Sequence, residues 1–252
     1  MKDVSYFDLG DVNKQAIAAG FEYATPGTSL QHLDQYVGAY ITEAGYVPAF
    51  LGYHGFPSNC CLAVNDQIVH GVASSYELKE GDLLTIDCGV QYEGIIVDSA
   101  DTRVIGTPSI AQQRLMINGR DILQACMNTI RDGVLLYDIL KAGHNLAFNR
   151  GVYIFPEFGG HTIKPGILHG SFIPHTVPTH KSRLEQQADL QQYHATKLRA
   201  GEIICLEPVV TEERTSIILE EDGWTTRSEN GKMSVHFEHC MLITTNGYEI
   251  IC

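Results

Sequence analysis

The 252-residue chain has no apolar run near the eighteen or so residues that a membrane span needs. Its opening, MKDVSYFDLGDVNKQ, has no apolar core of the kind a secretion signal carries. A cytoplasmic protein is the expectation. Basic residues are scarce, 17 Lys and Arg against 30 Asp and Glu, for a formal net charge of -13. That excludes general binding to nucleic acid or to an anionic membrane, both of which need basic patches. It suits attraction of cations or of a protonated amine, though acidity also simply serves solubility. A disulfide framework is absent too. The seven cysteines are odd in number, form no CxxC and keep no ligand-like spacing to histidine. Cys60 and Cys61 are adjacent and the rest lie in strand-like segments, so they read as reduced, packed thiols. With 44% apolar and 19% charged residues and no biased tract, the composition is that of a globular protein. Its length allows one sizeable core or two fused halves.

What is present is organised around LLTIDCGVQYEGIIVDSADT (83–102). It reads as two apolar, β-branched strands joined at Gln-Tyr-Glu-Gly. A turn on Tyr92-Glu93, or a four-residue loop from Gln91 to Gly94, places Asp87 directly opposite Asp98; a three-residue loop would not. Two carboxylates so placed have Cβ atoms roughly 5 Å apart and repel each other. Apolar neighbours deny them water, and one or two bound cations would resolve the conflict. A pair of exposed strand-end aspartates is the plainer alternative.

Before this hairpin, Asp11–Tyr23 predicts an amphipathic helix broken by Thr25-Pro26-Gly27. Thr28 or Ser29 caps a second helix with Leu30, Leu33, Val37 and Ile41 on one face. Then comes FLGYHGFPSNCCLAVNDQIVHG (50–71): an aromatic loop, a strand at 60–64, an Asn65-Asp66 turn, and a strand ending at His70-Gly71. Residues 111–150 are again helical. PGTSLQHLDQYV (26–37) and DGVLLYDILKAG (132–143) share a Gly followed by a helix with like-placed apolar residues and an Asp, and each copy precedes strands. The expected architecture is therefore α+β and pseudo-symmetric, a duplicated unit with helices packed outside a curved antiparallel sheet. Its halves would run roughly 1–108 and 109–252. Continuous strands are expected at 202–210 (EIICLEPVV) and 234–244 (SVHFEHCMLIT), and 176–199 reads as a partly helical surface excursion.

Three more donors stand where lone charge is costly: Glu207 before Pro208, Glu238 beside His239, and His161 after Gly159-Gly160. Four carboxylates and one imidazole suit a pair of hard or borderline divalent ions better than one tetrahedral zinc. The order Asp, Asp, His, Glu, Glu in the contexts IDCG, VDSADT, GGHTI, LEP and FEHCMLIT resembles methionine aminopeptidase. The likeness runs from about Pro26 to the C-terminus and extends to GYHGFPSNCCLAVNDQIVHG and to DGWTT (222–226). The length resembles the shorter, bacterial-type (type I) enzymes without an N-terminal zinc-finger extension.

The resemblance implies the pita-bread fold in a single domain spanning 1–252, and a centre of two divalent ions (Co, Mn, Fe or Zn). Asp87 would chelate one ion, His161 and Glu207 the other, with Asp98 and Glu238 reaching both. It implies that Glu207 moves a proton, that His70 bonds the scissile amide or the substrate amine, and that His169 steadies the tetrahedral intermediate. Tyr53, Phe56, Cys61 and Trp224 would line the methionine pocket, with Phe50 at a position that is often small and Leu168 at one that is often aromatic. The implied partners are peptide and nascent-chain N-termini, with the ribosome a candidate, and the implied state is a monomer. Three features depart from the family's pattern: Lys164 in His161-Thr-Ile-Lys164, the spacing of eight from His161 to His169, and a short first helix with a long 176–199 segment. A proline-specific peptidase of the same fold and a non-catalytic binding protein are the rivals.

Overall fold

The computed structural model describes residues 4–252; the first three residues of the MKDV start lie outside it. Helix α1 (Tyr6–Tyr23) starts earlier than the periodicity suggests. Ser5 caps it in a box in which its hydroxyl accepts from the Asp8 amide and the Asp8 carboxylate accepts from the Ser5 amide. The first helix is thus 18 residues long and not truncated. For α2 (Leu30–Glu43) the cap is Ser29, and Leu30, Leu33, Val37 and Ile41 are all buried. Each such side chain contributes about 1.5–3 kcal/mol on leaving water. Gly20 lets α1 pack tightly: a Cβ there would meet Val37 of α2 at 2.9 Å and Ile86 of the sheet at 3.0 Å.

Beneath these helices lie β1 (Val47–Pro48), β2 (Cys61–Val64), β3 (Leu83–Tyr92) and β4 (Ile95–Val104), all antiparallel. The β3–β4 connection is a two-residue turn on Glu93-Gly94, both at positive φ (47° and 87°), as a type I′ turn requires. The register expected from the sequence is therefore displaced by two: Asp87 pairs with Ala100, and Asp98 with Gly89. A shift of two keeps each side chain on its face, so Asp87 and Asp98 remain on one surface as diagonal neighbours. The segment ending at His70-Gly71 is a loop rather than a strand, and His70 takes a left-handed backbone, φ 57°.

The second half repeats the helix pair with α3 (Ile110–Met127) and α4 (Leu136–Arg150). There follow β5 (Tyr153–Ile154), β6 (Gly160–Ile163), β7 (Phe172–Ile173) and α5 (Arg183–Ala195). Helix α5 forms most of the 176–199 excursion, and Tyr193 is its buried anchor. The rest of the chain gives β8 (Ile203–Leu206), β9 (Val209–Thr211), β10 (Ile217–Leu219), β11 (Thr226–Ser228), β12 (Ser234–His236), β13 (His239–Ile243) and β14 (Tyr248–Ile250).

The two long strands expected at 202–210 and 234–244 are both broken. Glu207-Pro208 separates β8 from β9, and Phe237-Glu238 separates β12 from β13. Since β8 pairs with β13 and β9 with β12, the ribbon bends as a unit and passes from one sheet (β14-β13-β8-β6-β7) into another (β12-β9-β5). Pro208 has no amide to keep a ladder going at the bend. The halves meet where the Glu238 amide donates to the Ala100 carbonyl (3.0 Å). Nearby, the Thr102 hydroxyl donates to the His236 carbonyl (2.7 Å) and accepts from the His236 amide (3.1 Å).

Candidate metal centre

The bend and the hairpin face each other, and their acids converge. Asp87 and Asp98 come from β3 and β4, His161 from β6, and Glu207 and Glu238 from the two strand breaks. The His161 Nε2 lies 3.7 Å from Asp98 Oδ2, 3.5 Å from Glu207 Oε1 and 3.8 Å from Glu238 Oε1. Asp87, Asp98, His161 and Glu238 are at most 8% exposed. Among the described residues Asp87 Oδ1, Asp98 Oδ1, Glu238 Oε1 and both ring nitrogens of His161 make no hydrogen bond. Buried polar atoms without partners cost several kcal/mol together. Donor atoms of Asp87, Asp98 and Glu238 lie within 4.8 Å of one another, as do those of Glu207, His236 and Glu238, and those of Asp98, His161 and His169. Overlapping oxygen-rich sets that share Asp98 and Glu238 fit divalent cations.

The electrostatics agree. Burial pushes the Asp87 carboxyl up to about 7, with Glu207 adding to the shift and His236 opposing it. Burial and then the neighbouring carboxylates raise Asp98 and Glu238. Burial also raises Glu207, while His236 pulls it back. His161 is pushed down to about 3 by burial and by His169, so at neutral pH it is uncharged and has a lone pair to give. Burial lowers the His236 imidazole, but Glu207 and Asp87 outweigh that and raise it; one imidazole cannot balance four acids in a buried box, which want further positive charge.

Two further histidines, absent from the residues singled out above, complete the surroundings. The His236 Nε2 sits 3.3 Å from Glu207 Oε2, and the His175 Nε2 accepts the Glu207 amide at 3.3 Å. His236 was discoverable, since it precedes Glu238 by two and alternation puts both on one side of the strand. Nothing in the sequence around His175 marks it.

A cleft of about 310 Å³ opens over the acids, lined by Tyr53, Phe56, Cys61, Trp224, His70 and His169. Phe56 and Trp224 meet edge to face at 5.3 Å, and Cys61 pairs with Asp87 across β2 and β3. Asp34 fixes the loop carrying Phe56 by accepting the Asn59 and Cys60 amides (2.7 and 3.1 Å). Asp222 fixes Trp224 and Thr225 by accepting their amides, each at 2.8 Å. The His70 loop is clamped to the same segment: Ile68 donates to the Thr226 carbonyl (2.7 Å) and Thr226 to the Val69 carbonyl (3.1 Å). Burial, His169 and His236 push His70 down to about 4. His169 stacks edge-on against His161 at 4.4 Å, at the open mouth. Lys164 is exposed in a turn closed by its bridge to Ile167, and it does not line the cleft. A more voluminous groove, about 480 Å³, lies behind β4. Its cations already have partners, Lys14 with Asp11 and both Arg103 and Arg120 with Asp101.

Comparison with known proteins adds to this geometry. The model of metallopeptidase family M24 matches residues 7–245. Methionine aminopeptidase 1 of Mycobacterium tuberculosis is 32% identical over 249 residues, covering 96% of this chain and 89% of its own. The crystal structure of methionine aminopeptidase from Thermotoga maritima superposes with a TM-score of 0.86 at 27% identity, covering 96% and 93% of the two chains. That from Rickettsia prowazekii gives 0.87 at 24% identity, covering 98% and 94%, and shows the common fold.

Proposed function

The chain belongs to metallopeptidase family M24, and on that premise we propose that it is a methionine aminopeptidase, hydrolysing the first peptide bond of unblocked peptides and nascent chains. The observation that carries the proposal is the convergence of Asp87, Asp98, His161, Glu207 and Glu238, short of positive charge, beneath an aromatic, thiol-bearing cleft. Those five would hold two divalent ions, Asp98 and Glu238 reaching both. Bound there, such ions supply a Lewis acid for the scissile carbonyl and lower the pKa of a water toward neutrality.

The remaining work falls to the chain's own groups. Glu207 takes the proton of the attacking water and gives it to the departing amine, held for that task by His236 at its carboxylate and His175 at its amide. His70, neutral at pH 7, bonds the scissile amide or the substrate amine from its clamped loop. His169, at the mouth, steadies the tetrahedral intermediate. Tyr53, Phe56, Cys61 and Trp224 receive the methionine side chain, whose thioether is suited to aromatic and sulfur contacts. No helix of the described residues is long and apolar enough to cross a membrane. We place the protein in the cytoplasm as a monomer, acting on peptide N-termini, including those emerging from the ribosome.

The test is a peptide panel run on metal-stripped protein reloaded with Mn²⁺ or Co²⁺. Release of methionine from Met-Ala peptides, and none without metal, is expected. Cleavage of Ala-Pro peptides instead would move the chain to the proline-specific branch of the fold.

A further inference from the structure

One buried nucleophile beside the centre has no part in the chemistry above. His161 of β6 pairs with Cys205 of β8, and Cys205 pairs in turn with Cys240 of β13, so the three form a row across the sheet on one face. Glu207 follows Cys205 by two residues, and Glu238 precedes Cys240 by two. A row of thiols therefore stands directly behind the row of acids. The Cys205 Sγ, a His161 ring nitrogen and a Glu238 carboxylate oxygen all lie within 4.8 Å of one another. Cys205 is 0% exposed, and its thiol makes a long contact to the Asp98 carbonyl, 3.7 Å, and meets the Cys240 thiol and the Glu238 carboxylate.

We propose that Cys205 is a sulfur donor of this metal centre, used by thiophilic ions such as Zn²⁺ or Cd²⁺ and left unused by hard ions such as Mn²⁺; the proposal rests on the five acids and imidazole being a metal centre. Zinc bonds sulfur at about 2.3 Å and imidazole nitrogen at about 2.0 Å, so neighbouring donors around it stand roughly 3.5 Å apart. With donors no more than 4.8 Å apart, the His161–Cys205–Glu238 set needs to contract by at most about 1.3 Å to reach that spacing, within the reach of side-chain rotation. Sulfur discriminates between ions where oxygen does not. A thiol that bonds a metal ion gives up its proton, which leaves to solvent. Mn²⁺, which prefers oxygen, gives that exchange little return. Zn²⁺ and Cd²⁺ bond thiolate strongly, and are drawn to the inner end of the centre. Of the other thiols nearby, Cys61 and Cys240 belong to no such three-donor set among the described residues.

X-ray absorption of the metal-stripped whole chain, reloaded with one equivalent of Zn²⁺ or of Mn²⁺, tests this. The zinc sample should show one sulfur at about 2.3 Å and the manganese sample oxygen and nitrogen only. Cys205→Ser should lose the zinc sulfur, and the ultraviolet thiolate charge-transfer band of the Cd²⁺ form, while Cys61→Ser and Cys240→Ser keep both. A zinc shell of oxygen and nitrogen alone overturns the proposal, as does a sulfur that persists in Cys205→Ser. The wild-type zinc spectrum decides by itself if the buried variants do not fold. If Mn²⁺ binds and zinc shows no sulfur, only the role of Cys205 falls; if neither ion binds, the metal centre falls with it.

Discussion

The two halves of the molecule deliver their acids by different means. In the first half Asp87 and Asp98 stand on an uninterrupted hairpin of two ten-residue strands, aligned by a two-residue turn. In the second, Glu207 and Glu238 stand where two paired strands break and change sheet. Regular pairing alone fixes the first pair. The second pair depends on a bend, and the groups that hold it, His236, His175 and the Ala100 carbonyl, are not among the five proposed ligands. One half is thus a rigid shelf for charge, and the other a shaped hinge that also places Glu207, the proposed proton carrier.

Five substitutions and a titration can break or sharpen that contrast. The largest effect is expected from Asp98→Ala or Glu238→Ala, one from each half, because each removes a group shared by two or more donor sets. Loss of kcat by roughly a thousandfold or more is expected even in metal-saturated protein; turnover near wild type, with metal content measured alongside, would refute the assignment. Next comes His70→Ala, which should keep its metal and lose about a hundredfold in kcat. Unchanged kinetics would make His70 a structural residue. His236→Ala probes the hinge directly. It should cost about 10- to 100-fold in activity or metal affinity and shift the pH profile, whereas a residue that only packs would leave the profile in place. The smallest effect belongs to the shelf: Gly94→Ala, at φ 87°, should cost about 1 kcal/mol in unfolding free energy without altering the pH profile.

The titration concerns both halves together. Asp87, Asp98, Glu207 and Glu238 all carry folded-state pKa values raised above their unfolded ones. Taken alone they make the metal-free chain less stable as pH rises from about 4 through about 7, because the folded state retains protons that the unfolded state has lost. His70 and His161, depressed to about 4 and about 3, act in the opposite sense, their contribution being lost as pH falls below about 6.5. The gain in melting temperature on adding Mn²⁺ removes much of this ambiguity. It should grow as pH rises through about 7, with protons released on binding, since the ion needs ionised carboxylates. A gain that shrinks with rising pH would contradict the placement of the acids around the ion.

The same contrast explains what could be read in advance. The shelf was legible because alternation is robust: the turn lies at Glu93-Gly94 rather than Tyr92-Glu93, yet a displacement of two leaves both aspartates on one surface. The helices were legible through Leu30, Leu33, Val37 and Ile41, while the early start of α1 was missed because the Ser5–Asp8 capping box precedes the periodic stretch. The hinge was not legible. EIICLEPVV and SVHFEHCMLIT are β-branched and apolar on both sides of their glutamates, so local preference runs straight through the bends that tertiary pairing imposes. The five residues that converge, Asp87, Asp98, His161, Glu207 and Glu238, were nonetheless singled out through their sequence contexts. His175 was not, since its role exists only where the chain after β7 passes the Glu207 amide. Lys164, which the sequence left near the cleft, turns away because its own turn packs on the hairpin tip, where Gly166 donates to the Gly94 carbonyl at 2.8 Å.

The most direct measurement is a crystal of the Mn²⁺-loaded protein with anomalous scattering recorded for the metal. Two peaks about 3.5–4 Å apart, enclosed by Asp87, Asp98, His161, Glu207 and Glu238, are the expected result. A crystal with no peak there, or with manganese held only by surface carboxylates, would contradict the shared centre on which the peptidase chemistry depends.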